Sequence, residues 1–389
     1  FVSVRLNLYN DIRHIFFYQL LRIYLQSVMK VILNISFYGA KWGGSFIPSL
    51  KALEAEFLKR DTSMIFVFPK MGEKLPWVAS FPNIIWIDND FFLKRKLSCK
   101  YIQQLCAIIR QYNITHVVTN FMGYNVNLWL VKKIFPNISF SRVVHNTFHQ
   151  LSPNKYKCYI KSQLLEQTYD TFIGVSEWVA NSMKANGLNP KKITWVRNAI
   201  DFNRLTIWEP LNLKKEDNEI IVFMMGWPYF VKGVDVAIRA IRHLRDSGYN
   251  AVLVTPHHNI KKELQNDLGE LPNFVRFVEA REDIATYMNN VDVFLSASRE
   301  EGFSYSIVEA AFCDCLVISS KIPAPVDMKI PNMIYFESGN EVELFEKLQY
   351  CLNNQDLLLS YKSIQQEYVL REFGMCTWAN NMADTIVDR

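Results

Sequence analysis

No stretch of the 389-residue chain offers the ~20 consecutive apolar residues that a membrane-crossing helix requires. The uncharged run at 114–131 holds Thr115, His116, Thr119, Asn120, Asn125 and Asn127 and is broken by Gly123, so it reads as a strand, a turn and the start of a helix. Cysteine is sparse and poorly spaced. The seven (Cys99, Cys106, Cys158, Cys313, Cys315, Cys351, Cys376) are odd in number and never form C-x-x-C, which argues against a disulfide framework or structural zinc and for a reducing cytoplasm. Gly-x-Ser-x-Gly, the P-loop and G-x-G-x-x-G are all missing, which removes three common catalytic or nucleotide-binding loops. Charged residues make up only 21% while 50% are hydrophobic, so a disordered chain is excluded and large buried cores are expected.

What charge there is lies unevenly. Residues 1–200 carry 25 Lys+Arg against 10 Asp+Glu, and residues 201–389 carry 18 against 28. Such asymmetry points to two domains with different partners, the basic one facing nucleic acid, an anionic membrane or a phosphorylated substrate. Residues 1–28 include an aromatic-rich stretch, HIFFYQLLRIYLQSV, without a signal-peptide cleavage pattern. They read as an upstream extension, with the folded unit starting near Met29, or else as an amphipathic membrane-touching helix.

From Lys30 onward short apolar runs alternate with amphipathic stretches. Strands are predicted at 31–37, 64–68, 84–87, 115–119, 140–145, 172–175 and 193–196, and helices at 47–59, 98–112, 125–134, 155–168 and 177–186. The pattern pauses at 198–218, with Pro210 and the charged run Lys214, Lys215, Glu216, Asp217, and resumes at 219–225 as strand then helix. This alternation predicts parallel sheets covered on both faces. The expected division is a doubtful leader at 1–28, a Rossmann-like domain at 29–205, a second at 206–370, and a C-terminal helix at 371–389 packing back on the first domain. Two such domains set a ligand cleft between the carboxyl ends of their sheets.

The strongest local signal is SREEGFSYSIVEAAF, a strand-loop-helix junction at 298–312. A helix N-terminus presents free N–H groups and suits a phosphate. Glu301 and Glu309 flank it and could accept hydrogen bonds from sugar hydroxyls. Equally, Ser306-x-x-Glu309 reads as a capping box, and Glu301 as a solvated acid.

The stretch SREEGFSYSIVEAAFCDCLVISS resembles the nucleotide-sugar signature of retaining GT-B glycosyltransferases of family four, the glycosyl transferases group 1. The resemblance implies two Rossmann-like domains in GT-B arrangement. It also implies transfer of a hexose-type sugar from a nucleoside diphosphate, without a metal or separate cofactor. Glu301 would bind donor-sugar hydroxyls and Glu309 the ribose, with Phe303, Ser304, Tyr305 and Ser306 lining the sugar–phosphate junction. FMMGWPYFVKGVDVAIRAI matches the first donor-domain strand, loop and helix, making Lys232 the phosphate-binding lysine. YGAKWGGSFIPSLKAL matches the glycine-rich loop, whose Gly43 and Gly44 would approach the donor phosphate, and SRVVHNTF makes His145 a wall of the donor-sugar site. Glu301, Lys232 and His145 are the expected catalytic set.

The chain departs from the family at three points. Gly226-Trp227 stands where the family has Gly-Arg, leaving Arg299 or Arg197 as candidate substitutes. Thr255-Pro256-His257-His258 replaces a glycine-rich turn, and Asp314 replaces a glycine. These changes keep open a non-catalytic binding or scaffold subunit of a glycosyltransferase complex, and more remotely an epimerase. Asp88-Asn89-Asp90 matches the D-x-D of metal-dependent transferases, but two acids can equally end a strand. The adjacent His257 and His258 have no supporting Cys or acid cluster for zinc. The basic runs at 94–96 and 155–157 lack a nucleic-acid motif. The basic surplus persists over 29–200, 22 against 9, and clusters beside aromatics in FFLKRK and NKYKCYIK and at Lys132-Lys133. It predicts a cytoplasmic enzyme docked on the anionic inner face of the cell membrane, acting on a lipid-linked glycan in surface-polysaccharide assembly.

Overall fold

The structure is a computed structural model that describes residues 30–94, 96–149, 155–214, 216, 218–313 and 315–387. The leader, the expected start at Met29, and Arg95, Lys215, Asp217 and Asp314 of the sequence reading lie outside the described residues, as does the Lys155 side chain.

Two all-parallel sheets form. The first has seven strands, β1 (Lys30–Ser36), β2 (Thr62–Pro69), β3 (Ile84–Ile87), β4 (His116–Asn120), β5 (Ser139–Val144), β6 (Thr171–Gly174) and β7 (Ile193–Trp195), in the order 3-2-1-4-5-6-7. The second has six, β8 (Ile220–Phe223), β9 (Ala251–Thr255), β10 (Val275–Phe277), β11 (Val293–Ser296), β12 (Leu316–Ser320) and β13 (Ile334–Phe336), in the order 10-9-8-11-12-13. These are two Rossmann-like domains, as the strand–helix alternation predicts.

The sequence shows why these strands are central. Ile32, Leu33 and Ile35 of β1 are wholly buried on both faces, as a sheet covered by helices requires. In the helix Val234–Asp246, Val234, Ala237, Ile238, Ile241 and Leu244 recur at helical spacing and are fully buried against the second sheet. Helix starts are capped by side chains where the sequence offers them: Asn125 accepts from Asn127 N–H, Ser176 from Val179 N–H, and Asn340 from Glu343 N–H.

The tail ties the two halves together. The helix Gln355–Glu372 packs on Tyr305–Phe312 of the second domain, and Ile200 N–H then donates to Phe373 O at 3.0 Å. The final helix Met375–Val387 lies on Phe46–Leu58 of the first domain, burying Trp378, Met382 and Ile386. Arg60 clasps its outer face through Asp384 and, at 2.6 Å, Asn380 Oδ1. Among the described residues no helix is long and apolar enough to cross a membrane.

Candidate active site

Each sheet reverses its strand order between two neighbours, β1 with β4 and β8 with β11. Crevices open outside the carboxyl ends of strands at such switch points. The loops leaving those strands carry Gly43, Gly44, Lys232, Glu301, Phe303 and Ser304, while His145 follows β5 and Tyr305, Ser306 and Glu309 lie in the helix after the β11 loop.

On the second domain, the loop after β8 ends in Lys232-Gly233 and the loop after β11 holds 297–304. Gly233 has φ +64°, and a Cβ on it would stand 2.0 Å from the Ala297 carbonyl oxygen, so only glycine lets the two loops touch. That contact brings Lys232 Nζ to 2.5 Å from Glu301 Oε1, which also accepts from Ser298 Oγ at 2.7 Å. Both charged side chains are largely sheltered, 21% and 13% exposed. Glu301 is therefore a held carboxylate and not a solvated one.

The helix after this loop starts at Tyr305, with Ser304 as its N-cap and no side-chain cap bond. Ser306 consequently lies inside the helix, and the capping-box reading of Glu309 fails. Glu309 is buried and turns instead to the other domain: its Oε1 is paired with Arg204 and accepts from Ser45 Oγ at 3.3 Å. The Ser304 hydroxyl is buried without a partner among the described residues, beside the first-turn N–H groups that a helix leaves unsatisfied. Phe303 packs edge-on to Tyr305 at 5.0 Å and is buried. Burial, reinforced by Glu309 and Tyr38, pushes the Tyr305 phenol well above its usual range, so it stays a neutral donor.

The opposing wall comes from the first domain. Gly44 has φ +53°, and Gly43 and Gly44 line a cleft of about 1000 Å³ together with Lys51, Asp201, Arg204 and Asp283. His145, just past β5, stacks on Phe121 at 3.9 Å and meets Phe46 edge-on at 5.7 Å. Its Nε2 lies 3.0 Å from Asn120 Oδ1, an acceptor, so the ring proton is assigned to Nε2 and Nδ1 is left bare. Burial, with the Arg142 guanidinium adding to it, lowers the imidazole to about 3 and keeps it neutral.

The walls meet at Gly302. A Cβ there would come 2.2 Å from the His145 carbonyl oxygen, and the Gly302 carbonyl accepts from Ser176 Oγ at 2.7 Å. Thr147 Oγ1 donates to the Glu301 carbonyl at 3.3 Å, and His149 Nε2 lies 2.6 Å from Glu300 Oε1. The structure thus gathers the expected residues into two groups: Lys232, Glu301 and the 303–306 turn beside His145, and Glu309 beside the Gly43-Gly44 loop.

One expectation needs correction. Neither Arg299 nor Arg197 stands in for the arginine replaced by Trp227. Arg299 is locked to Asp235 by two bonds of 2.8 and 2.7 Å and lies 4.0 Å over the Phe230 ring. Arg197 donates to the Asp327 carbonyl and lies over Trp195 and Phe373, while Trp227 is 46% exposed. Asp88 is occupied by Lys70 and Lys100, which hold its carboxyl down at about 2, with Lys100 the stronger cause, and Asp90 is paired with Lys94. The two histidines diverge: His257 Nδ1 accepts from Gly226 N–H at 3.2 Å, while His258 Nε2 is 3.0 Å from the Val278 carbonyl. Among the described residues no group of three His, Cys, Asp or Glu could hold a metal. Sequence reasoning gave no role to Ser45, Asn120, Phe121 or Arg204. Their partners lie far along the chain, and no local motif announces them.

Two family models match the chain, Glycosyltransferase Family 4 over residues 57–204 and Glycosyl transferases group 1 over 218–354, together most of its length. An N,N'-diacetylbacillosaminyl-diphospho-undecaprenol alpha-1,3-N-acetylgalactosaminyltransferase of Campylobacter jejuni is 27% identical over 195 residues, 48% of this chain and 49% of that protein. The O-antigen biosynthesis glycosyltransferase WclY of Escherichia coli is 27% identical over 173 residues, 43% of this chain and 48% of that one. The chain spans about half the length of these curated relatives. Among solved structures, Anabaena HepE in complex with UDP and glucose superposes with a TM-score of 0.72 at 17% identity, covering 92% of this chain and 100% of that one.

Proposed function

The chain belongs to the GT-B glycosyltransferases of family four, and on that premise we propose that it moves a hexose-type sugar from a nucleoside-diphosphate donor to an acceptor hydroxyl, with retention of anomeric configuration. Residues 29–205 serve as the acceptor domain and 206–370 as the donor domain, with 371–389 bracing the first domain. The observation that carries this reading is the pairing of Lys232 with Glu301 beside the uncapped helix start at Ser304–Tyr305.

The barrier in such a transfer is mostly charge: positive character grows on the sugar while the diphosphate departs. Lys232, the 303–306 amides and the Gly43-Gly44 backbone offer fixed positive potential for the leaving group, the kind of pre-organised electrostatics that dominates most catalysis. Glu301 is oriented by Lys232 and Ser298 to accept from donor-sugar hydroxyls. His145 stays neutral, so its bare Nδ1 can accept a hydrogen bond from a hydroxyl and adds no positive charge next to the forming cation. Glu309 takes the ribose. No metal and no separate cofactor is assigned a role. A donor screen scored by nucleotide release tests all of this. Turnover that survives EDTA and falls more than tenfold, about 1.4 kcal/mol, in both Glu301→Gln and Lys232→Ala is expected. No release from any donor, with no UDP or GDP binding at millimolar concentration, would favour the non-catalytic subunit.

The acceptor we propose is a lipid-linked glycan of surface-polysaccharide assembly, reached from the cytoplasmic face of an anionic membrane. The diphospho-undecaprenol in the name of the Campylobacter relative supports it. So do the exposed Leu93, Leu97, Tyr156, Tyr159 and Ile160, interleaved with Lys96, Lys157 and Lys161. Each basic residue near such a surface contributes about 1 kcal/mol. Lys132 drops out of the sequence-based cluster, because Asp170 and the carbonyls of Pro136 and Ile138 take its ammonium and its side chain is only 12% exposed. Salt-sensitive flotation with anionic vesicles, and little with neutral ones, is the expected outcome. Equal, negligible binding to both would leave a soluble acceptor.

A further inference from the structure

Arg204 lies in the short turn Phe202–Leu205, in the connector between the two sheets. Its guanidinium pairs with Glu309 Oε1 of the second domain and donates to Ser45 Oγ of the first at 3.3 Å, while Ser45 Oγ itself donates to the same carboxylate oxygen. Three distant segments thus converge on one oxygen atom. Among the described residues Glu309 Oε2 has no hydrogen-bond partner, and Arg204 Nε is buried without one. Arg204 also lines the cleft of about 1000 Å³ with Gly43 and Gly44. A carboxylate pinned through one oxygen keeps the other as an acceptor of fixed direction. The planar guanidinium, whose Nη2 serves both Glu309 Oε1 and Ser45 Oγ, holds this direction with less lost freedom than a lysine ammonium.

We propose that Arg204 is the positioning residue for the nucleoside end of the donor. It fixes Glu309 through Oε1 and leaves Oε2 to accept from the ribose hydroxyls. Because Ser45 directly follows Gly44, it also couples that acceptor to the loop expected to meet the donor phosphates. The acceptor is complete only when first domain, connector and second domain are in this arrangement, so donor binding and domain arrangement reinforce each other. The guanidinium also neutralises Glu309, which lets a diphosphate approach a site that would otherwise present two carboxylates. This inference rests on reading Glu309 as donor-binding.

Calorimetric titration with UDP and with GDP tests it, on the wild type, Glu309→Ala, Arg204→Ala, Arg204→Lys and the Arg204→Ala/Glu309→Ala pair. Thermal melts and donor kinetics are run on each. Glu309→Ala and Arg204→Ala should each weaken the binding nucleotide tenfold or more, and Arg204→Lys should restore part of the loss. The double variant should bind no worse than Glu309→Ala, since an effect routed through Glu309 cannot be lost twice. Donor KM should rise in Arg204→Lys with kcat nearly unchanged, a split that a merely structural role would not give. If Arg204→Ala does not fold, Arg204→Lys carries the test by its KM alone. Undiminished affinity and unchanged KM in the Arg204 variants, with Glu309→Ala weakened, would overturn this inference and leave the donor site standing. So would losses that multiply in the double variant. A wild type that binds neither nucleotide would remove the donor-site reading and this inference with it.

Discussion

Glu301 and Glu309 stand eight positions apart in one strand-loop-helix junction, yet they are held in opposite ways. The Glu301 carboxylate is fixed entirely from within its own domain, by Lys232 on the neighbouring switch-point loop and by Ser298 three residues back. Glu309 is fixed entirely from outside it, by Arg204 of the connector and Ser45 of the first domain. The first carboxylate is ready whenever the second domain is folded. The second is ready only when the domains are together. Each also carries its own cation, so the pair presents little net negative charge to a departing diphosphate. One end of the proposed donor site is thus built into a domain, and the other is assembled where the domains meet.

Two glycines separate these cases most sharply, and substituting them should produce the largest effects. Gly233 makes a contact inside the second domain, with φ +64° and a virtual Cβ 2.0 Å from a backbone oxygen. Gly233→Ala should therefore destabilise that domain outright, by about 2 kcal/mol or more, because left-handed strain and a backbone clash add. Gly302 makes its contact across the seam, where a Cβ would meet the His145 carbonyl at 2.2 Å. Gly302→Ala should lower the melting temperature less than Gly233→Ala does, since it strains the contact between the domains and not the packing of one domain's own loops, while transfer activity falls more than tenfold. Thermal melting and a transfer assay on the two variants give the comparison directly. Equal melting losses in both would mean that the seam is part of the folding core and that the contact between domains is not separable from folding.

The same division decides what could be read from sequence. Both parallel sheets were legible, and Lys232 and Glu301 could be singled out for one site, because apolar runs, a Lys-Gly turn and a spaced glutamate pair are local patterns. The fate of Glu309 was not: Ser306-x-x-Glu309 satisfies the capping-box spacing, and only the helix start at Tyr305 shows that Ser306 cannot cap. Arg299 looked available as a phosphate-binding cation until Asp235, 64 positions away, was seen to hold it. Lys132 looked like a membrane contact until its ammonium proved to close off carbonyls of its own domain. In each case a charged side chain was assigned by type, while its role is set by a partner that no short-range pattern names.

The smallest effect concerns the first-domain wall, where His145 should act as a neutral residue. Its ordinary value near 6.5 falls to about 3 in the folded chain, chiefly through burial and secondarily through Arg142. Between those two values an unfolded chain holds a proton on this imidazole that the folded chain does not. Stability therefore falls as pH drops from about 6.5 toward 3 and is insensitive to this group above that window. His116 and His257 are also lowered by burial and add to the same acid limb. The diagnostic quantity is consequently a difference: urea midpoints measured from pH 7 to pH 4 for the wild type and for His145→Gln. The glutamine variant should lose less stability on acidification, because the other histidines are common to both proteins and cancel. Transfer activity of the wild type should show no inflection between pH 6 and 8 that His145→Gln abolishes. An inflection there that disappears in the variant would mean that the imidazole titrates in the working enzyme. The wall of the sugar site would then carry a proton during catalysis, and His145 would belong with Lys232 among the charged groups and not with Phe121 and Phe46 among the packing ones.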